Sequence, residues 1–536
     1  MIDRNRLESN GFRREFNTTM LIPIVLALLQ LADSFRILVY SPAFAGSHTN
    51  FLARLADVLT DAGHNVTFVA PIFDESRRDQ LAVRRANDVI RVDADDEMTT
   101  KKARMSASLL PFWTRTIDAD DVADTFHHFS ELLTLGCENL VRHSNVIDEL
   151  RRRQFDVAIA EPISVCGLAL MHHIGISKTI LASSVVFFDP IVAYSGEPFD
   201  PILFPASLAA NSDDLDFSSR YSNYKFMENT KYAFEQLFDG EQDAYRKLSA
   251  DIPDWKELIP SASIMFTNSN PLIDFPRPIL QKTVPIGGIS VQIGSPLSSE
   301  WIEMLEKRPK SMLISFGTMA FSSKMPIEWR QNLLNVFASF AKVTFIWKYE
   351  TDDLEWANGV DNIHFSKWVP QPALLADHRL SAFLTHGGLG STNELAHFGK
   401  PAITVPLFGD QVRNAQMLSR HNGSILLDKF DLGNEEILRD AIRTILYDES
   451  FLKNAQHLAE QLDNQPFKPK ELLVKYTEFV AKYGPLTKLD PKSRNATRIQ
   501  RNMIDVYLAI AFQNFLMIFI VFRIIRCVFS GKVDCR

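Results

Sequence analysis

Cysteine is scarce in this chain. The 536 residues hold four, Cys137, Cys166, Cys527 and Cys535, and none stands at the spacing that cages zinc. Cys137 and Cys166 read as two buried thiols, with a bridge between them in an oxidising lumen as the alternative. A basic excess is missing too: 57 Lys and Arg face 65 Asp and Glu, for a net charge of −8. Nucleic acid is bound through a broad positive face, so that class of partner is excluded. Low-complexity tracts are absent, and 46% hydrophobic with 23% charged residues is a globular balance that rules out a disordered chain. The length suffices for two large domains plus appendages, at ~100 to 200 residues per domain.

Long uncharged apolar runs occur at the two ends. Residues 1–19 are polar and carry Arg4, Arg6, Arg13 and Arg14; MLIPIVLALLQLA follows at 20–32. A basic stretch before a short apolar core is the pattern of a signal peptide, although Gln30 stands where a small residue is preferred and Met20 is an alternative start. The second run, 506–522, has 17 residues without a formal charge and is followed by Arg523, Arg526 and Lys532. About 17 apolar residues is the lower limit for crossing a bilayer, so one span is expected there. Basic residues also precede it, at Lys488, Lys492, Arg494, Arg498 and Arg501, so charge does not orient it. A working signal peptide would put the body in the lumen. Sequons occur at Asn17, Asn65, Asn422 and Asn495, with glycosylation most plausible at the last two.

Between these ends the pattern is α/β. A strand at 35–40 leads through SPAFAGSH into a helix from Thr49, closed by Gly63 before a strand at 65–70. That unit opens a doubly wound parallel sheet, whose ligands gather at the C-terminal strand ends. His48 lies there. Another strand, 155–160, ends at Glu161, a carboxylate able to set the tautomer of an imidazole base. Two stretches, SLLPFW within 104–117 and the Phe, Pro and Tyr-rich 183–205, read as acceptor-pocket or membrane-surface loops, or else as ordinary core.

A second parallel sheet is expected after 311. Its strand at 311–316 ends in Gly317 and Thr318, and the apolar run 381–384 stops at Thr385, His386, Gly387 and Gly388, ahead of a helix carrying Ser391, Thr392 and Glu394. Glycine turns let backbone N–H groups approach an anion, and a helix N-terminus favours phosphate. Trp368 offers a flat face for a base, Gln371 an amide, and Asp410 with Gln411 follow the next short strand.

Tryptophan, glutamine three residues on, His-Gly-Gly at a strand end, an acid eight residues after that histidine, and Asp-Gln after the next strand span 44 positions, 368 to 411. This block resembles the signature of the UDP-glycosyltransferase family, and nearly the whole chain resembles its membrane-bound animal UDP-glucuronosyltransferases. The resemblance implies that Trp368 stacks on uracil and Gln371 contacts the uridine. It implies that His386 and the turn Gly388, Gly390 and Ser391 hold the diphosphate, Glu394 the ribose, and Asp410 with Gln411 the sugar; Thr318, at the other glycine turn facing the same cleft, could hydrogen-bond the β-phosphate. His48, in Gly46-Ser47-His48, takes the place of the catalytic base, and Glu161 that of its partner, where the family more often has aspartate. Gly390 departs from the usual asparagine.

The expectation is therefore a GT-B fold, two Rossmann-like doubly wound domains facing a cleft, with a C-terminal transmembrane helix. The expected division is 1–32 signal peptide with extension, 33–286 acceptor-binding domain, 287–310 linker, 311–485 UDP-sugar-binding domain, 486–505 juxtamembrane segment, 506–522 span and 523–536 cytosolic tail. The expected activity is inverting transfer of glucuronate from UDP-glucuronate to a hydroxyl of a small lipophilic acceptor, with UDP-glucose as the rival donor. No metal and no cofactor beyond the UDP-sugar cosubstrate is expected. A non-catalytic UDP-sugar binder would lack the base. The resemblance places a single-pass protein in the endoplasmic reticulum membrane with its body lumenal, homo-oligomerisation being compatible with it.

Overall fold

The computed structural model describes residues 34–530, apart from 117–118, 199–203, 209–215 and 358. The expected signal peptide at 1–32 and the last six residues of the tail lie outside the described residues. Seven parallel strands form the first sheet in the order β3-β2-β1-β4-β5-β6-β7. They are β1 (Arg36–Tyr40), β2 (Asn65–Pro71), β3 (Asp88–Val92), β4 (Val157–Ala160), β5 (Thr179–Ser183), β6 (Ile264–Thr267) and β7 (Thr283–Pro285). Six form the second, in the order β10-β9-β8-β11-β12-β13. These are β8 (Lys310–Ser315), β9 (Val343–Lys348), β10 (Ile363–Ser366), β11 (Ala382–Thr385), β12 (Ala402–Thr404) and β13 (Ser424–Leu426). Two doubly wound sheets facing a cleft make the GT-B architecture, as expected from the sequence.

Strands covered by helices on both faces read as continuous apolar runs rather than alternating ones. The segments ILVY of β1 and VAIA of β4 are of that kind and are buried throughout. Their pairing sets Tyr40 beside Ala160, so the residues leaving these strands emerge side by side at one edge. Nine helices carry the account that follows: α1 (Gly46–Asp61), α2 (Ala119–Arg142), α3 (Cys166–His173), α4 (Phe217–Tyr245), α5 (Gln371–Ala376), α6 (Leu389–Phe398), α7 (Gln411–Ser419), α8 (Pro469–Tyr483) and α9 (Ile504–Ser530).

Two expectations are corrected. Helix α1 begins at Gly46, not Thr49, so His48 belongs to its first turn instead of the loop before it. Cys137 and Cys166 are bridged, with Cα atoms 5.7 Å apart, and tie α2 to the start of α3. Their burial, which suggested free thiols, is a consequence of the packing around the bridge. The SLLPFW stretch is mixed: Leu110 is exposed, while Phe112 and Trp113 are buried, Trp113 edge-on against Phe316, and Lys429 Nζ donates to the Phe112 carbonyl at 2.6 Å and to that of Arg115. The loop thereby bridges the two sheets.

Helix α8 returns to the first sheet after the second is complete. Its Leu473 and Val480 are buried with Ile37, Leu55 and Val66 in one apolar cluster, and Lys178 of the first half donates to the Ala481 carbonyl. Helix α9 is longer than the apolar run. Ile504–Phe529 is long and apolar enough to cross a membrane, none of it is buried against the rest of the chain, and Arg523 and Arg526 fall within the helix rather than beyond it.

Candidate active site

The first half of the site collects at the ends of β1, β4 and β5. His48 Nδ1 lies 2.8 Å from Glu161 Oε1 and 2.7 Å from Ser184 Oγ, while the Ser184 backbone N–H donates to the same carboxylate oxygen at 3.1 Å. Glu161 is almost wholly buried, so its charge is poorly solvated and its partner is well defined. With Nδ1–H directed at Glu161, Nε2 carries the lone pair. Burial alone would lower the His48 pKa, but the charge and hydrogen bond of Glu161, with the charge of Asp410 behind them, raise it above its ordinary value. The extra methylene of glutamate over aspartate is accommodated without loss of contact.

An aromatic wall runs away from the imidazole. Phe44 packs 4.7 Å from the His48 ring, Phe129 5.2 Å from Phe44, and Phe234 bridges Phe126 at 4.8 Å and Phe188 at 4.3 Å. Phe126 and Phe129 are only partly buried, so a lipophilic molecule beside His48 would meet ring surface.

The second half is built by turns after β8, β11 and β12. Gly317 has φ +83° and Gly387 φ +78°, backbone that L side chains rarely adopt. A Cβ on Gly317 would stand 2.6 Å from the His386 ring, and one on Gly388 2.8 Å. The two glycine turns therefore hold one imidazole between them. Burial, with the charge of Lys348 nearby, pushes the His386 pKa down to about 4, so it is neutral near pH 7 and offers an N–H rather than a charge. Lys348, at the end of β9, donates to the Gly317 carbonyl at 2.5 Å.

Gln371, Ser391 and Glu394 meet: Gln371 Nε2 donates to Ser391 Oγ at 3.0 Å and to Glu394 Oε2 at 2.7 Å. Burial lifts the Glu394 pKa to about 7, against the pull of Gln371. Trp368, three residues before Gln371, is 71% exposed. Thr318 is exposed just after β8, and Gly390, at the start of α6, is exposed with nothing within 4 Å of a Cβ built there. Asp410 is half-buried, close enough to His48 for each to feel the other's charge; burial raises its pKa, opposed by a 2.7 Å hydrogen bond from Asn414. Gln411 is less free than the sequence suggested, because its Oε1 accepts from the N–H groups of Leu407 at 2.8 Å and Phe408 at 3.1 Å.

Sequence reasoning missed Ser184 and Lys348. Both sit at the C-terminal ends of parallel strands, which is the signal that would have found them.

A family model described as "UDP-glucoronosyl and UDP-glucosyl transferase" matches residues 36–535. The Caenorhabditis elegans protein "Putative UDP-glucuronosyltransferase ugt-55" is 30% identical over 448 residues, 80% of this chain and 85% of that protein. Its relative ugt-56, also from Caenorhabditis elegans, is 29% identical over 503 residues, 92% and 94% of the two chains. Among solved structures, Os79 from O. sativa, in complex with U2F and trichothecene, superposes with a TM-score of 0.58 at 17% identity, covering 83% of this chain and 100% of Os79. A UDP-glucosyltransferase from Polygonum tinctorium superposes with a TM-score of 0.57 at 16% identity, covering 84% and 99%. At such identities these two likenesses establish the fold.

Proposed function

This chain belongs to the UDP-glucuronosyl and UDP-glucosyl transferase family, and on that premise we propose that it is an inverting UDP-glucuronosyltransferase acting on hydroxyls of small lipophilic acceptors. The observation that carries the reading is the pair His48 and Glu161, facing Asp410 of the other half. In this reading the donor's uracil stacks on Trp368 with Gln371 at the uridine, its ribose hydroxyls donate to Glu394, and Asp410 and the Gln411 amide hold the sugar. Its diphosphate lies between Thr318, the His386 N–H, Gly388, Gly390, Ser391 and the N-terminus of α6. The acceptor lies along the aromatic wall with its hydroxyl at His48 Nε2.

The chemistry is one displacement. His48 Nε2 takes the acceptor proton as the acceptor oxygen bonds to the anomeric carbon; the bond from that carbon to the diphosphate oxygen breaks on the opposite face, and UDP departs with the electron pair. Glu161 stabilises the imidazolium that forms. Opposite-face attack inverts the anomeric centre.

The names of the nematode relatives support glucuronate as the sugar. One observation favours glucose as a second reading: Arg413, one turn beyond Asp410, is already paired with Asp274 and does not offer a free cation to a sugar carboxylate. By the same reading, residues 33–286 bind acceptor and 311–485 bind donor, and α9 anchors a lumenal body in the endoplasmic reticulum membrane. Turnover of a phenolic acceptor by membranes carrying the full chain, with UDP-glucuronate and UDP-glucose in parallel, tests it. A product that forms with UDP-glucuronate and vanishes in His48→Ala supports the proposal; a histidine-dependent product with UDP-glucose alone replaces the sugar, and UDP binding with no product replaces the enzyme with a binder.

A further inference from the structure

Helix α4 buries one side against the first half of the molecule through Asn223, Met227, Thr230, Phe234 and Phe238. Its other side carries exposed aromatics among the charged residues Lys225, Glu228 and Asp239. Phe217 is 75% exposed, Tyr221 57%, Tyr224 42% and Tyr232 64%. At 100° per residue these four fall within an arc of about 80°, an aromatic stripe interspersed with Glu228, Glu235 and Asp239. Phe217 and Tyr221 stack on each other, ring centroids 6.1 Å apart, and cover little else.

Glu228 lies in the middle of that arc and is touched by Arg498 Nη2 at 3.4 Å. Arg498 stands six residues before Ile504, where the candidate span begins. Six residues reach at most about 20 Å even when fully extended. More of the same segment is fastened nearby: Asp490 pairs with Lys282 at 3.3 Å and with Arg494 at 2.7 Å, and a Cβ on Gly196 would strike Pro491 and Arg494. The chain leading into the bilayer is thus pinned to the side of the molecule that presents the stripe.

We propose that the Phe217, Tyr221, Tyr224 and Tyr232 face of α4 lies in the headgroup region of the bilayer that α9 crosses. Tyrosine suits that depth, because its ring partitions toward the acyl boundary while its hydroxyl stays wet. The contact makes α4 a second point of attachment, which fixes the tilt of the cleft relative to the membrane plane. This inference rests on α9 spanning the bilayer and not on the identity of the donor sugar.

The test uses the full-length chain in phosphatidylcholine nanodiscs, with a nitroxide on one added cysteine at a time: Phe217→Cys, Tyr224→Cys, Leu516→Cys within α9, and Lys453→Cys on an exposed helix of the second half. The parent chain gives the labelling background. The ratio of relaxation by oxygen to relaxation by a water-soluble nickel chelate is expected to be highest at 516, lowest at 453, and intermediate at 217 and 224. A label at 224 and one at 217 that both behave like the one at 453 overturn the proposal. So does dipolar broadening between labels at 224 on two chains, which would make the stripe a contact between copies.

Discussion

Arg413 on α7 holds Asp274, which follows β6 of the other sheet, at 2.6 Å with both side chains out of water. Removing one member of a buried pair leaves the other charged and unsolvated, at a cost of about 3–5 kcal/mol. Asp274→Ala is therefore expected to lower the denaturant midpoint, and the Arg413→Met, Asp274→Leu double variant to recover most of the loss. Because α7 opens at Gln411, next to Asp410, the single variant should also raise the donor KM. Unfolding at the parental midpoint would remove the pair from the account of how the halves are joined.

The base and its partner can be separated by pH. Glu161 outweighs burial and holds the His48 pKa above 6.5, and a base works only when neutral, so kcat/KM should rise as pH climbs through that raised value. Glu161→Gln deletes the charge that raises it. The acidic limb should then move to lower pH while the plateau falls by the ~10²- to 10⁴-fold typical of a general-base step. An unmoved limb would assign it to another group.

Glu394 should make donor binding depend on pH near neutrality. With its pKa pushed up to about 7 by burial, it is a carboxylate above that value, which in the proposed pose accepts from both ribose hydroxyls, and below it a neutral acid and weaker acceptor. Affinity for the intact nucleotide-sugar, whose diphosphate diester does not titrate in this range, is expected to rise between about pH 6 and 8. Glu394→Gln should bind more weakly with no such slope, as calorimetry would read directly.

The bridge from Cys137 to Cys166 closes a separation of 29 residues. Chain entropy puts its contribution at about 3–4 kcal/mol. Cys166→Ala or full reduction should lower the melting temperature without changing the pH profile, since the bridge lies outside the His48 cluster; a changed profile would mean that α3 positions Glu161.

The parts of this molecule that were legible in the sequence are those governed by local rules. ILVY, VAIA and AFLT announce buried parallel strands because nothing polar interrupts them. Gly317 and Gly387 announce turns because few other residues take their φ. Gln371, Ser391 and Glu394 stand out through the spacing of the 368–411 block, which the family resemblance made legible. What stayed hidden depends on contacts between distant segments. Ser184 reaches His48 across 136 residues, Lys429 reaches Phe112 across 317, and no local pattern at either end marks the pairing. Cys137 and Cys166 look alike whether bridged or free, since a bridge and a buried thiol share the same apolar surroundings.

Helix α8 makes order along the chain and membership of a folding unit two different things. Leu473 and Val480 complete the apolar cluster under the first sheet although the whole of the second sheet precedes them. An exchange of halves between relatives joined at a single point near 287–310 would supply the first sheet with a foreign α8. Grafts that carry 469–483 along with residues before 290, cut at two points, keep each core with its own side chains.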